Sequence, residues 1–256
     1  MREYLRGAAW SFVQDYALNH QLPMIWEVPI LKYAAADDPL FPKLRQIVVD
    51  SHYLPQDYLP EASTVLSWFI PFVPSIAQSN LDGPYPSSEW QLAYHATNTM
   101  AEELNLHLCQ VIGGLGDTAV VPTDTGRISD QQILSRWSQR HVAYIAGHGT
   151  FGMNNMLISD RGCVGRYFSI VTTLPLDSDP RPTLERCLYK RSGTCGLCMK
   201  RCTVNALSPC GFERRRCFDR CRENRVRGGP NGANICGKCV VGLPCSFSSL
   251  DFNTEP

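Results

Sequence analysis

The sequence predicts an α/β (α+β) protein in two parts: a core of helices and strands over residues 1–178 and a small cysteine-rich domain over 179–256. Three observations predict it. Helical periodicities alternate with β-branched and aromatic runs up to residue 176. Ten of the twelve cysteines then fall between Cys187 and Cys245. Between these two regimes lies Asp-Ser-Asp-Pro-Arg, residues 177–181, a turn-forming stretch of the kind that separates domains.

Each element has a local reason. Tyr4, Leu5, Ala8, Phe12, Tyr16 and Leu18 recur at near-helical spacing, which predicts a helix over 2–20 with Pro23 just beyond it. Asp38 as N-cap and Pro39 at the first helical position predict a second helix over 39–48. The run TVLSWFIPF, 64–72, is apolar, β-branched and bounded by prolines, so it reads as a buried strand. Ser88 with Gln91 forms a capping box for a helix over 88–106. Residues 110–126 read as strand and turn, and 128–143 as a helix with Ser129 and Asp130 near its start. Residues 156–158 and 166–174 look like a hairpin closed by the turn 159–162.

The cysteine spacing carries the chemistry. Cys195-x2-Cys198-x3-Cys202 is the tail of the bacterial ferredoxin run, whose usual first cysteine would fall at Ser192. Cys187 is the nearest replacement, with Cys210 in reserve. Cys217, Cys236-x2-Cys239 and Cys245 complete eight ligands, enough for two [4Fe–4S] clusters. Disulfides suit a short secreted chain, and no secretory signal opens this one. Zinc on the two C-x2-C pairs would leave Cys187, Cys202, Cys217 and Cys245 without a role. Cys210 and Cys221 are spare within the domain, and Cys109 and Cys163 lie outside it.

Net charge is zero, which removes any global case for nucleic-acid binding. Residues 181–238 nevertheless hold 14 Lys/Arg against 4 Asp/Glu. The densest part, 213–229, reads as a solvated helix face that also offsets the negative charge of thiolate-ligated clusters, the alternative being a site for an anion or an acidic partner. The longest apolar run, 64–77, is broken by Pro71 and Pro74 and is too short to span a bilayer. Reduced cysteines without a signal point to a cytoplasmic protein with no membrane partner.

One further motif stands just upstream. Gly147-His148-Gly149-Thr150-Phe151-Gly152 approaches a dinucleotide fingerprint, but it follows a predicted helix and leads into a predicted hairpin, the wrong context. A plain structural turn is the other local reading. His141, Tyr144 and His148 flank it and are the natural proton donors for a reductive reaction, whereas His52, His95 and His107 read as structural.

The pairing of AGHGTFGMNNMLI with two cysteine sets resembles epoxyqueuosine reductase and, more distantly, corrinoid reductive dehalogenases. Gly147, Gly149, Gly152, Asn154, Leu157 and Ile158 carry the match, together with a strand ending in Leu-Pro-Leu and the C-x2-C-x3-C run. The resemblance covers about residues 60–245. It implies a nitroreductase-like mixed-sheet core holding cobalamin beside a ferredoxin-like domain. It also divides the ligands into Cys187, Cys195, Cys198 and Cys245 for one cluster and Cys202, Cys217, Cys236 and Cys239 for the other. Gly147, Gly149, Thr150, Phe151, Gly152, Asn154 and Asn155 would approach the cofactor.

Three departures accompany the likeness. Met153 stands where the family has lysine, and the family's proton-donor aspartate stretch is missing, Asp124 and Asp130 being nearest. The C-terminal repeats that help the reductase hold tRNA are also missing, so tRNA is not an expected partner. The implied function is a cobalamin-dependent reductase fed by ferredoxin or flavodoxin and acting on a small molecule. The alternatives are an electron-transfer protein serving a partner redox enzyme, and a flavin in cobalamin's place.

Overall fold

A computed structural model describes residues 1–248, so the end of the expected second domain, 249–256, lies outside the described residues. The chain divides into two compact units that are discontinuous in sequence. Met1–Ile70, Thr99–His148 and Arg166–Arg181 form the first, and Pro71–Asn98, Gly149–Gly165 and Pro182–Pro256 the second. This division cuts across the boundary read at 178/179, because Pro71–Asn98 and Gly149–Gly165 group with the cysteine-rich segment.

The first unit holds helix α1 (Arg2–Asn19), strand β1 (Ile30–Ala35), helices α2 (Leu40–Ile47) and α3 (Pro55–Tyr58), and most of strand β2 (Thr64–Pro71). Helix α2 starts one residue later than read, with Pro39 in place of Asp38 as its N-cap; the Asp38 carboxylate, one residue earlier, accepts the Leu40 N–H at 2.9 Å. β2 is buried along its whole length, as its apolar run requires. β1 was not legible: Ile30–Ala35 carries a lysine in its middle and pairs with β2 from Ile30 opposite Phe69 to Ala35 opposite Thr64.

Further along, a short helix α4 (Pro74–Ser79) precedes the long helix α5 (Ser88–Gly113). Ser87, not Ser88, supplies its cap, its hydroxyl accepting the Trp90 N–H at 3.1 Å. The helix outruns its expected end because Leu104, Leu108 and Ile112 continue the buried stripe. Strand β3 (Ala119–Val120), helix α6 (Gln139–Ile145), the short strands β4 (Thr150–Phe151) and β5 (Leu157–Ile158), and strand β6 (Gly165–Thr172) follow.

The main sheet has the order β1-β2-β6-β3. β1 with β2 and β3 with β6 are antiparallel. The bonds Ser63 N–H to Thr172 O and Phe72 N–H to Val164 O run in opposite senses along the chain, so β2 with β6 is antiparallel too. The mixed sheet implied by the resemblance is therefore corrected to an antiparallel one among these pairs.

Two local readings change. The helix read over 128–143 shrinks to Gln139–Ile145, because Ser129 accepts the Gln132 N–H at 2.9 Å and Trp137 N–H turns back to Asp124 O. Trp137 is fully buried, stacks on Phe41 at 6.1 Å and donates to Ser169 Oγ. The hairpin also changes partners. β5 pairs with β4, and the turn 159–162 closes only a Ser159–Gly162 bridge, leaving β6 as a central strand.

In the second unit the cysteine-rich segment forms short helices α7 (Leu188–Ser192) and α8 (Leu197–Arg201), a ribbon of β7 (Leu207–Ser208) and β8 (Gly211–Phe212), and helix α9 (Arg214–Arg227). Among the described residues no helix is long and apolar enough to cross a membrane.

Candidate metal centres

Cys187, Cys195, Cys198 and Cys245 line one small pocket, with Met153, Leu243 and Pro244 among its walls. Burial pushes the Cys198 thiol up to about 11, and the neighbouring Cys245, Cys187 and Cys195 add to the rise. Each thiol in such a group makes the next harder to ionise.

The residues before Cys187 anchor it. Glu185 Oε1 accepts the Cys187 N–H at 2.9 Å and the Thr150 hydroxyl at 2.6 Å, and Thr150 in turn accepts the Arg186 N–H at 2.9 Å. Arg186 is only 5% exposed. Its guanidinium donates to Ile158 O at 3.1 Å and pairs with Asp160. Met153 N–H points at Cys187 Sγ, 3.4 Å away.

Cys245 is held from the other side. Cys163 N–H donates to Cys245 O at 3.0 Å, and the Cys163 thiol hydrogen-bonds to Cys245, which holds the Cys245 thiol below its ordinary pKa. Cys163 is 1% exposed, and Asn154 Nδ2 donates to its sulfur at 3.5 Å.

Cys202, Cys217, Cys236 and Cys239 form the second group. Burial is the largest cause raising the Cys239 thiol, followed by Cys217, Cys236 and Cys202. Cys236 is raised by burial and then, more weakly, by Cys217 and Cys202. Ala206 N–H donates to Cys202 Sγ at 3.1 Å. Thiols of both groups meet in one apolar cluster: Cys198, Leu207 and Leu243 at its centre, with Met153, Cys202, Cys239 and Cys245 packed against them. Among the described residues no three His, Cys, Asp or Glu side chains converge as ligands of a single metal ion.

The Cys236–Cys239 turn is clamped by two cations. Lys238 is 2% exposed and donates to Asn80 O at 2.8 Å and Asp82 O at 2.7 Å. Arg201 takes the carbonyl between them, Leu81 O, at 2.8 Å, and also Lys238 O at 3.0 Å. Asn80 Nδ2 returns a bond to Cys236 O. Neither cation's role was legible, since Lys238 reads as a spacer inside a C-x2-C pair. The solvated-face reading suits α9 itself, where Arg215, Arg216 and Arg220 pair with Asp219, Glu213 and Glu223.

The glycine loop is occupied by its own chain. A Cβ on Gly149 would lie 1.8 Å from Ile158 O, and one on Gly147, at φ +83°, 2.6 Å from Pro180 O. Gly152 is crowded by Asn154 Oδ1 and Ile158 Cδ1. Thr150 is committed to Glu185, and Phe151 O accepts from Lys190 Nζ. Asn154 Nδ2 reaches Cys239 O at 3.2 Å, its Oδ1 accepts the Met156 N–H, and Asn155 sits at φ +58°.

The four proton-donor candidates lie in the first unit. His141 and Tyr144 share a half-buried face of α6, and His141 Nδ1 lies 2.8 Å from Ser138 Oγ. His148 is fully buried, 3.1 Å from Ser67 O and edge-on to Tyr167. Asp130 sits on a surface turn, ion-paired with Arg127 at 2.8 Å. The reserve ligand Cys210 is exposed beside the β7–β8 ribbon and is not in the wall of the first pocket, whereas Cys187 is.

No family model matches this sequence, and no curated protein matches it. Solved structures do. Epoxyqueuosine reductase from Streptococcus thermophilus aligns over 93% of this chain and 67% of its own, at 16% identity and TM-score 0.59. The fold is that of the epoxyqueuosine reductases. A second such reductase, solved with an epoxyqueuosine-modified tRNA-Tyr stem loop, gives 17% identity and TM-score 0.56 over 93% of this chain and 66% of that one. A catabolic reductive dehalogenase gives 17% and 0.52 over 82% of this chain and 28% of that one. The chain thus spans about two thirds of the length of the epoxyqueuosine reductases it matches. At these identities the likeness to epoxyqueuosine reductase is one of fold, and it agrees with the resemblance read from the glycine loop and the cysteines.

Proposed function

We propose that this chain is an iron–sulfur oxidoreductase. One [4Fe–4S] cluster would be held by Cys187, Cys195, Cys198 and Cys245, and a second by Cys202, Cys217, Cys236 and Cys239. The observation that carries the reading is the gathering of the eight thiols into two groups, four of whose members, Cys198, Cys202, Cys239 and Cys245, share one apolar cluster. Four thiols spread around a pocket suit a polynuclear cluster, in which each iron takes one thiolate, better than a single tetrahedral zinc. Such clusters supply one-electron transfer.

The chain's own residues do the rest. Met153 N–H and Ala206 N–H offer hydrogen bonds to Cys187 and Cys202 sulfur. Leu207 and Leu243 supply apolar surface between the groups. Lys238 and Arg201 bring positive charge to the Cys236–Cys239 turn. The reductase fold and the paired clusters together support a role in which electrons enter from a ferredoxin or flavodoxin and leave to an acceptor.

The cobalamin implied by the resemblance would have to approach a loop whose side chains are already engaged within the protein. The open sides of Gly147 and Gly149 face Pro180 and Ile158, and Thr150 and Asn154 are spent on bonds within the second unit. This occupancy favours a second reading, in which the acceptor is a partner redox enzyme and the chain turns over no substrate of its own.

Anaerobic purification tests both. Iron and acid-labile sulfide should each come to about eight per chain, with EPR signals of reduced [4Fe–4S] clusters. Zinc in place of iron would overturn the cluster assignment. A corrinoid spectrum after incubation with cobalamin would return the reading to a cobalamin-dependent reductase, and substrate turnover by the isolated protein would exclude the carrier role.

A further inference from the structure

The second thiol group contains a fifth member that the eight-ligand assignment leaves out. Cys221 lies one helical turn beyond Cys217 on α9, the i, i+4 relation that puts side chains side by side, about 5–6 Å apart at Cβ. The inward stripe of α9 is Cys217, Cys221 and Asn224, all less exposed than the charged residues between them except Arg220. Asn224 fixes where that stripe points: its Nδ2 donates at 2.7 Å to Ile235 O, the carbonyl next to Cys236. Cys221 accordingly hydrogen-bonds to Cys217 and feels both Cys236 and Cys239. Cys210, the other spare, is exposed.

We propose that Cys217 and Cys221 are interchangeable ligands of the second cluster, so that one iron position can be taken by either thiolate. The inference rests on the cluster reading above. When Cys221 replaces Cys217, one Fe–S(Cys217) bond breaks and one Fe–S(Cys221) bond forms. The Cys221 proton is exchanged to Cys217 through their hydrogen bond, and no electron moves. The thiol not bound to iron remains as a hydrogen-bond donor to the ligand sulfur, a contact that shifts cluster potential.

Four variants decide it, each purified anaerobically and assayed for iron and by EPR. Cys202→Ala removes a ligand for which no spare is proposed and should fall to about four irons per chain, with one cluster signal left. Cys217→Ala and Cys221→Ala should each keep about eight irons, the first with an altered signal from the second cluster. Cys217→Ala with Cys221→Ala should match Cys202→Ala. If Cys217→Ala alone falls to the level of Cys202→Ala or below, the exchange is wrong and Cys217 is an obligate ligand. If the double variant keeps both clusters, neither residue is a ligand. Loss of iron from none of the four, or zinc in the unaltered protein, would instead count against the cluster reading itself.

Discussion

Replacing Lys238 with methionine keeps most of the side chain's length and removes its charge. The ammonium donates to Asn80 O and Asp82 O, at 2.8 and 2.7 Å. Asn80 is fully buried, so its carbonyl would lose a charge-assisted bond with no water to replace it, at a cost of about 1–3 kcal/mol. Asp82 is exposed, and water can take over most of the bond to its carbonyl. Methionine also escapes the cost of burying an ammonium, the same burial that lowers the Lys238 pKa.

The net expectation is a loss of about 2 kcal/mol, roughly a 30-fold shift toward the opened form. Because Lys238 lies between Cys236 and Cys239, the loss should appear as easier release of iron from the proposed second cluster. Urea titration of the anaerobic holoprotein, followed by cluster absorbance, measures it. Lys238→Met should lose iron at lower urea than the unaltered protein, and Arg201→Met should behave alike, since Arg201 holds the intervening Leu81 O and Lys238 O. A Lys238→Met protein that releases iron at an unchanged urea midpoint would refute the clamp.

Other outcomes follow from single contacts. Gly149→Ala places a Cβ 1.8 Å from Ile158 O, so the β4–β5 pair must part; a loss above about 3 kcal/mol and a reduced yield of clustered protein are expected in thermal unfolding and iron assays. His52 is buried, and its Nε2 accepts the Ser138 N–H while Nδ1 faces Tyr53 O. Burial lowers its pKa, so the unfolded chain binds the extra proton first, at about pH 6.5. The contribution is present above that pH and lost as pH falls through the lower folded value, so the melting temperature should drop between about pH 7 and pH 5, and a flat profile would contradict it. Cys163→Ala removes the thiol hydrogen-bonded to Cys245; both clusters should remain by iron assay, while the midpoint potential of one becomes more negative and Cys163→Ser restores part of the shift.

Legibility differed by type of element. Long amphipathic helices and the buried strand at 64–71 were readable because periodicity and capping are local properties. The helix read over 128–143 failed because Ser129 and Asp124 offered the backbone other partners, and Trp137 had a better use in the core. The strand Ile30–Ala35 was missed because its identity depends on β2, about 30 residues away.

By itself the sequence determined that ten cysteines share one short segment, and their order points to two quartets. Ligand spacing is encoded in the residues themselves. Only the tertiary structure decided that Cys187 stands in the first pocket and Cys210 does not, because burial of Arg186 and the Glu185–Thr150 bonds hold that segment against β4 and β5. Tertiary packing alone likewise turned the glycine loop from an open cradle into a brace for Cys187, and turned the Cys217–Cys221 stripe of α9 toward Cys236. Long-range hydrogen bonds and close backbone approach set those outcomes, and neither leaves a periodic trace in the chain.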